Sequence, residues 1–577
     1  MKYQSSNTKQ IHNIEFVKGR HLCPECSPSR KKKSKDLEYY PDGNTAYCFH
    51  CNTTFFEYKP YEAKQYTIPE WKNITNLTDK AVKYFQSRMI KQETLNLMKV
   101  YSDNEYMPQF SKPVECICFP YFLDGKVKNI KFRGANKSFK LVSGAELLLW
   151  NIDCLKHFSQ VIITEGEIDA LSYINIGLLN TISVPNGANK NLEYLDNYIH
   201  LFDDIKTIYL ATDQDTKGLE LRDELIRRLG AEKCKLVSYK ECKDANEYMM
   251  KYSPTELHKT ITEARDCPVK GVFKVSDFQV ELREYFEQGV QKGKELDINE
   301  IDKFIRWETS RLAIVTGVPG SGKSEFVDFL VAKLNMLYRW KAGYFTPENY
   351  PLKYHYSKMF EKYIGKQFNK NKASEVEYDT AYEYLQDNIF WILNEEDLSL
   401  DKILEGAKNL VRTKGIKVLV IDPYNKIDHQ YEKGASETQY ISKFLDKLIM
   451  FGKLNDILIF LVAHPAKMQA NEIPSLYNIS GSAHFYNKCD YGFTVHRTTD
   501  ERNVMQNQIE VYWKKIKFKH LGEQGISELK YNYNNGRFET GTVDYWDNSN
   551  WLKIDSSKID IEPNDTWETT PTKDIPF

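Results

Sequence analysis

The sequence predicts a multidomain α/β protein with a small cysteine-rich module at its start. Three observations carry this. Two tight cysteine pairs, "CPEC" at 23–26 and "CFHC" at 48–51, open the chain. Between about 65 and 255, β-rich segments ("VIIT", "IYLATD", "KLVSY") alternate with helical ones ("EIDALSYINIG", "GLELRDELIRRLG"), the pattern of a largely parallel sheet. The alternation returns from 301 to 545 with "LAIVTG", "AGYFTPE", "VLVID" and "ILIFLVAH". At 577 residues the chain exceeds one core, and length alone suggests roughly three or four domains.

Composition narrows the class. Hydrophobic residues at 41% and charged ones at 28% suit a globular protein. "MKYQSSNTKQIHNIEF" lacks an apolar signal core, and "ILIFLVAH" is too short to span a bilayer, so no membrane role and a cytoplasmic location are expected. Eleven cysteines, an odd total with paired spacing, fit a metal site in a reducing compartment better than a disulfide framework. A net charge of −1 gives no global attraction to nucleic acid, so any such binding must use local patches.

The first element, 1–60, holds Cys23, Cys26, Cys48 and Cys51 as two C-x2-C pairs separated by 21 residues. Four thiolates at this spacing suit a tetrahedral structural Zn2+, which would supply folding energy to a short segment. His50 lies inside the second pair as an alternative ligand, though four sulfurs are preferred. The basic run "RKKKSK" at 30–35 offers phosphate contacts, or equally a solvated loop.

The second element, 61–255, places acids at strand ends. "VIITEGEIDAL" supplies Glu165, Glu167 and Asp169, "IYLATDQD" supplies Asp213 and Asp215, and "CKDANEY" supplies Asp244. Carboxylates at the ends of successive parallel strands converge beyond the sheet's carboxyl edge. Their mutual repulsion calls for hard cations, and Mg2+ there could serve phosphoryl transfer. Glu167 and Asp169 could instead be ordinary first-turn helix acids.

Residues 256–300 are polar with a helical period in "SDFQVELREYFEQGV" and read as a linker carrying a helix. From 301, "GVPGSGKS" at 317–324 follows a strand and precedes a helix, the context a phosphate loop requires. Backbone N–H groups around Gly317, Gly320 and Gly322 would cradle the phosphates of ATP or another NTP or dNTP. Lys323 would reach the β and γ phosphates, and Ser324 and Asp422 would hold Mg2+. Glu348, after the next strand, is a candidate base for water, and His464 stands at a third strand end.

The order "GVPGSGKS", "FTPEN", "VLVIDPYN", "LVAHP", "ISGSAHFYNKCDYGFTVHR", "KKIKFKHLGEQG" resembles the RecA-like core of DnaB-family ring helicases, in particular phage primase-helicases and mitochondrial Twinkle. The resemblance implies that Glu348 activates water, that His464 senses the γ-phosphate, and that a neighbouring subunit inserts a cationic finger. The family's finger is an arginine; here Lys519 takes the position, or Lys517 in a shifted register, and lysine lacks the bidentate fork. Gly481, Ser482 and Lys488 match the stretch of the DNA-binding loops.

"EGEID", "DQD" and "KDANE" resemble the TOPRIM domain shared by topoisomerases, certain nucleases and bacterial-type primases. "VKNIKFRGANKSFKLVSG" resembles the basic stretch preceding TOPRIM in phage primases, which implies that Lys131, Arg133, Lys137 and Lys140 bind nucleotide phosphates; the bland reading is an edge strand with solvated charges. "PDGNTAYCFHC" resembles the phage zinc module that reads the template where priming starts. The tail, 546–577, carries seven acids against three lysines, lacks an apolar period and is expected to be disordered. It ends "KDIPF", similar to acidic tails with an aromatic terminus that dock replication partners, so Phe577 is expected to engage a replicative polymerase or another replisome protein.

Together these imply a TOPRIM primase fused to a RecA-like helicase, of bacteriophage-like type. Such an enzyme would make short RNA primers on single-stranded DNA and unwind forked DNA 5′ to 3′ as a hexameric or heptameric ring. Two rivals stand beside it: a helicase whose TOPRIM half only binds single strands, and a TOPRIM nuclease driven by an NTPase.

Overall fold

The structure, a computed structural model, describes residues 2–553 apart from 6–10, 14–18, 31–33, 41–44, 52, 58–65, 71–75, 136–137, 189–191, 268–274, 291, 394–396, 430–435, 467–471, 480–482, 501–503 and 541–545. It separates into two compact units, Met1–Thr67 and Ile68–Phe577. Among the described residues no helix is long and apolar enough to cross a membrane.

The first unit is an antiparallel sheet of β1 (Lys2–Ser5), β2 (Ile11–Asn13), β3 (Arg20–His21), β4 (Leu37–Tyr40), β5 (Thr45–Cys48) and β6 (Thr53–Glu57), in the order β2-β1-β6-β5-β4-β3. Its buried apolar cluster is Cys23, Leu37, Ala46, Cys48 and Phe55. Two of those five side chains are Cys23 and Cys48, so the cysteine cluster is part of the core.

The second unit begins with α1 (Asp79–Ser87), whose first turn is capped by the Thr78 hydroxyl accepting from the Ala81 N–H, and α2 (Gln92–Leu97). An antiparallel meander follows: β7 (Tyr101–Met107), β8 (Lys112–Leu123), β9 (Lys126–Arg133) and β10 (Phe139–Leu141). The sequence reading placed this stretch within a parallel α/β pattern. The meander forms because β8 alternates between two cores: Ile117, Phe119 and Tyr121 on one face, Cys116 and Cys118 on the other.

The expected parallel sheet then appears. It comprises β11 (Gln160–Thr164), α3 (Glu167–Asn175), β12 (Thr181–Ser183), α4 (Glu193–Asp196), β13 (Thr207–Ala211), α5 (Thr216–Leu229), β14 (Cys234–Leu236), α6 (Ala245–Lys251), α7 (Pro254–Thr262) and β15 (Arg265–Asp266). The strand order is β12-β11-β13-β14-β15, parallel except for β15. The domain therefore runs past the expected boundary at 255. Leu257 of α7 is fully buried and β15 pairs with β14, so the linker starts only after 267.

Helix α8 (Gln279–Gln288) lies in the expected linker. The second α/β part also starts earlier than 301: Leu296, beside α9 (Asn299–Asp302), is buried in its core with Ile301, Ile305 and Trp307. There follow β16 (Leu312–Thr316), α10 (Lys323–Tyr338), β17 (Ala342–Phe345), α11 (Lys353–Ile364), α12 (Glu375–Asn388), β18 (Ile389–Trp391), α13 (Leu400–Lys414) and β19 (Val418–Ile421). The remainder is α14 (Glu437–Asn455), β20 (Leu458–Val462), α15 (His484–Lys488), β21 (Tyr491–Thr499), β22 (Met505–Ile516), β23 (Gly525–Tyr531) and β24 (Phe538–Thr540). The nine strands run β18-β17-β19-β20-β16-β21-β22-β23-β24; β18 to β21 are parallel and the rest antiparallel. β16 shows why strand runs here read as continuously apolar. Ala313 and Val315 face one core, Leu312 and Ile314 the other.

The tail expected from 546 does not begin there. Trp551 is 6% exposed, packs on Phe329 and Tyr363, and carries the Arg537 guanidinium 3.8 Å from its ring centroid. Asp547 pairs with Arg537 at 3.0 Å. The aromatic and the acid anchor residues 546–553 to the core of the nine-stranded sheet; residues 554–577, Phe577 among them, lie outside the described residues.

Candidate active sites

Parallel pairing of β11 with β13 aligns Thr164 with Ala211, so Glu165 and Asp213 emerge side by side from the sheet's carboxyl edge. Asp215 is the N-cap of α5, accepting from the Gly218 N–H at 2.9 Å, and Asp244 is the N-cap of α6, accepting from the Glu247 N–H at 2.7 Å. Asp169 on α3 accepts from the Asn246 N–H at 3.1 Å. Gly218 permits this: a Cβ there would lie 2.2 Å from the Asp213 carbonyl oxygen.

The electrostatics are those of crowded acids. Burial, then Asp213, pushes the Glu165 carboxyl up to about 8. Burial, then Asp244, pushes Asp213 up to about 7. Burial beside Asp244 and Asp213 holds Asp169 well above the usual carboxylate range. Asp215 goes the other way: burial opposes it, but the Lys243 ammonium and the Gly218 N–H hold it below its ordinary value. Lys243 reaches Asp215 at 2.7 Å and Asp213 at 3.3 Å. The Glu165 Oε2 is buried without a hydrogen-bond partner. An oxygen set short of positive charge, with an orphaned oxygen, fits a hard divalent cation. Among the described residues only the four cysteines form a group of three or more cysteine, histidine or carboxylate ligands that close to within 4.8 Å of one another.

Sequence reasoning missed Lys243. It adjoins Asp244 in "CKDANE", where no spacing rule distinguishes it from a solvated lysine.

The basic stretch is partly engaged by acids. Lys131 is turned toward Glu167. Its side chain is 9% exposed, and Nζ donates to Glu167 at 2.9 and 3.0 Å and to the Pro185 carbonyl at 2.9 Å. Glu167, which also accepts from the Tyr121 hydroxyl, is buried, and a buried carboxylate needs this counter-charge. Glu167 is thus a structural acid. Lys140 pairs with Glu105 at 2.7 Å. Arg133 is half-buried opposite Phe139 across β9 and β10, and Lys137 lies outside the described residues.

The phosphate loop joins β16 to α10. Gly317, Gly320 and Gly322 all take positive φ, at +152°, +80° and +90°, and a Cβ on Gly317 would meet the Val495 carbonyl at 2.3 Å. Lys323 Nζ donates back to the Gly317 and Val318 carbonyls at 2.9 and 3.0 Å, and burial lowers its pKa to about 8. Burial, then Asp328, pushes Asp422 up to about 6 against a hydrogen bond from Ser324. β17, β19 and β20 are neighbours in the sheet, so Glu348, Asp422 and His464 follow adjacent strand ends. Glu348 is exposed and lies 3.8 Å from Lys426. Burial, then Lys323, lowers His464, and its Nδ1 is buried without a partner. The Thr316 and Ser321 hydroxyls are orphaned beside the loop, as suits a nucleotide cradle.

Lys519 is exposed and makes no side-chain hydrogen bond or ion pair among the described residues, whereas Lys517 pairs with Asp490 at 3.2 Å. Lys488 departs from the expected DNA loop. Nζ donates to the Ser442 carbonyl and hydroxyl at 3.0 and 2.7 Å and pairs with Asp446 at 2.6 Å, tying α15 to α14. Gly481 and Ser482 lie outside the described residues.

In the first unit Cys23, Cys26, Cys48 and Cys51 converge, with Sγ–Sγ distances of 3.7 Å for Cys23–Cys51 and Cys26–Cys48. A tetrahedron of Zn–S bonds of about 2.3 Å has edges of about 3.8 Å. The cluster therefore has the size of a zinc site.

A Toprim-like family profile matches residues 162–249, and the profile of the DnaB-like helicase C terminal domain matches 293–540. The Twinkle homolog protein, chloroplastic/mitochondrial, of Arabidopsis thaliana is 32% identical over 569 residues, covering 90% of this chain and 79% of that protein. A primase homolog protein of the same plant is 28% identical over 43% of this chain and 82% of its own length. The DNA helicase/primase of Enterobacteria phage T3 is 23% identical over 72% of this chain and 74% of its own.

Proposed function

The chain belongs to the Twinkle-like family, in which a TOPRIM primase is fused to a DnaB-like helicase, and we infer from this that it is a bifunctional enzyme, a DNA primase and an NTP-dependent DNA helicase. The observation that carries the reading is the presence of two complete acid sets in one chain. One surrounds Glu165 and Asp213; the other accompanies Lys323 and Asp422.

In the primase half, Glu165, Asp169, Asp213, Asp215 and Asp244 would hold Mg2+, which supplies the charge that phosphoryl transfer demands. Lys243, which lies against two of these acids, would swing toward a triphosphate once they are neutralised. Short RNA primers are the product we assign. In the helicase half, the loop glycines and Lys323 would hold an NTP, Ser324 and Asp422 its Mg2+, and Glu348 the attacking water. His464, kept neutral by burial, would report on the γ-phosphate. A ring, hexameric by family, lets Lys519 or Lys517 complete a neighbour's site.

DNA is the substrate of both halves, and 5′ to 3′ movement is the direction we assign. The four cysteines would hold Zn2+ in a template-reading module, and the terminal Phe577 would dock a replisome partner. A reducing cytoplasm is the location we assign.

The engagement of Lys131 and Lys140 by acids favours a second reading, a helicase whose TOPRIM half only binds single strands. A pair of variants separates the two. Asp213→Ala with Asp215→Ala should end primer synthesis and spare DNA-stimulated NTP hydrolysis. Lys323→Ala should end hydrolysis and unwinding. Retained unwinding in Lys323→Ala would refute the role given to this phosphate loop.

A further inference from the structure

Helix α5 begins at the metal crevice, with Asp215 as its cap, and ends fourteen residues later against the helicase half. Its last turn carries Arg227 and Arg228, whose side chains are 5% and 3% exposed. Arg228 donates to the carbonyls of Arg412 and Thr413 at 2.7 and 3.3 Å. Arg227 donates to those of Gly415, Ile416 and Asn455 at 3.2, 3.0 and 3.3 Å. Most of these oxygens belong to the last turn and C-cap of α13, the groups that helix geometry leaves without an internal partner. Two guanidinium forks thus fill a cage of carbonyls.

The charges around them are all answered. Glu224 holds the other edge of Arg227 at 2.6 and 2.9 Å, and Asp196 holds Arg228 at 2.8 Å. From the helicase side, Lys417 bridges Glu224 and Asp456 at 2.9 and 2.8 Å, and Lys341 reaches Asp196 at 2.9 Å. Gly415 has φ +69°, which favours glycine, and a Cβ there would lie 3.0 Å from the Arg228 Nη1, so a side chain would press on the cage.

The dock has a defined place on the helicase sheet. Lys341, Lys417 and Asp456 stand just before β17, β19 and β20. Glu348, Asp422 and His464 stand just after the same three strands. The primase half therefore meets the amino edge of the sheet, and the nucleotide residues line the opposite edge.

We propose that the arginine-bearing end of α5 is the joint that holds the primase and helicase halves together, its partner being the amino edge of the helicase sheet, and that the linker around α8 is dispensable for their association. Charge-assisted bonds in a desolvated site are strong, and losing one partner strands the others. A tether would need none of this. Each primase then rides as one body with its own helicase, beneath the sheet whose far edge handles nucleotide.

The test uses the full chain with a protease site on each side of α8, cut after purification and run on a sizing column. The expected result is co-elution of the two halves in the wild-type protein and their separation in Arg227→Glu with Arg228→Glu, with affinity lowered at least tenfold. Separation of the wild-type halves, or co-elution in the reversed-charge variant, overturns the proposal. DNA-stimulated hydrolysis before cutting checks the variant's fold. If that is lost, Lys417→Glu loosens the joint from the helicase side without altering α5, and its co-elution likewise counts against the joint. Neither primer synthesis nor unwinding is read, so the outcome is independent of the functional assignment.

Discussion

Glu165 and Asp213 emerge side by side from the carboxyl edge of the sheet, and their state without metal makes a pH prediction. Both carboxyls lie above their ordinary values, at about 8 and about 7. The fold then binds more protons than the unfolded chain from roughly pH 4 up to those values, so stability falls as pH rises through that window. Mg2+ must displace those protons, and the thermal stabilisation it gives is expected to be larger at pH 8 than at pH 6 in differential scanning calorimetry. Equal shifts at both would mean the acids do not bind it. That these acids converge was legible in the sequence because carboxylates at the ends of neighbouring parallel strands meet beyond the sheet's carboxyl edge. Lys131 was not, because its role depends on Glu167 being buried beside it, a fact of tertiary packing that a basic strand pattern does not encode. Lys488 misled for the same reason, its charge being spent on Asp446.

Elements were legible where their period was clean. β11, β13, β16 and β19 follow from short apolar runs ending in acids or glycines, whereas the meander of β7 to β10 was hidden because β8 is buried on both faces. Domain edges were missed where a short element completes a sheet or core, as β15 and α9 do. Two predictions belong here. Gly218→Ala pushes a methyl into the Asp213 carbonyl, and displacing a catalytic group by about 1 Å should cost about 100-fold in primer synthesis while sparing hydrolysis. Unchanged priming would show that α5 yields freely. Trp551→Ala should destabilise the helicase by about 3–5 kcal/mol in denaturant unfolding, since it empties an aromatic site in the core. Truncation after 553 should leave that stability unchanged, and truncation after 545 should not.

At the scale of the whole molecule, the sequence reading expected a zinc module, a primase, a linker, a helicase and a tail as successive pieces. The fold groups them differently: Met1–Thr67 is one compact unit and the remainder another, with both enzymes inside it. The burial of Arg227 and Arg228 against α13 makes that union, and nothing in "IRRLG" distinguishes two joint arginines from two surface ones. With so thin a core, the first unit is expected to need a metal on its four cysteines to fold. Cys48→Ser should release the zinc, measured with a metallochromic dye, and abolish template-directed priming while leaving DNA-stimulated hydrolysis intact; loss of hydrolysis too would show that the module supports the helicase. The central claim is that one chain both primes and unwinds, and primer synthesis tests it most directly. Purified protein is incubated with single-stranded DNA of mixed sequence, Mg2+ and labelled ribonucleotides. The account predicts short labelled oligoribonucleotides that vanish in Asp213→Ala with Asp215→Ala. Their absence from the wild-type protein, while DNA-stimulated hydrolysis proceeds on the same templates, would contradict it.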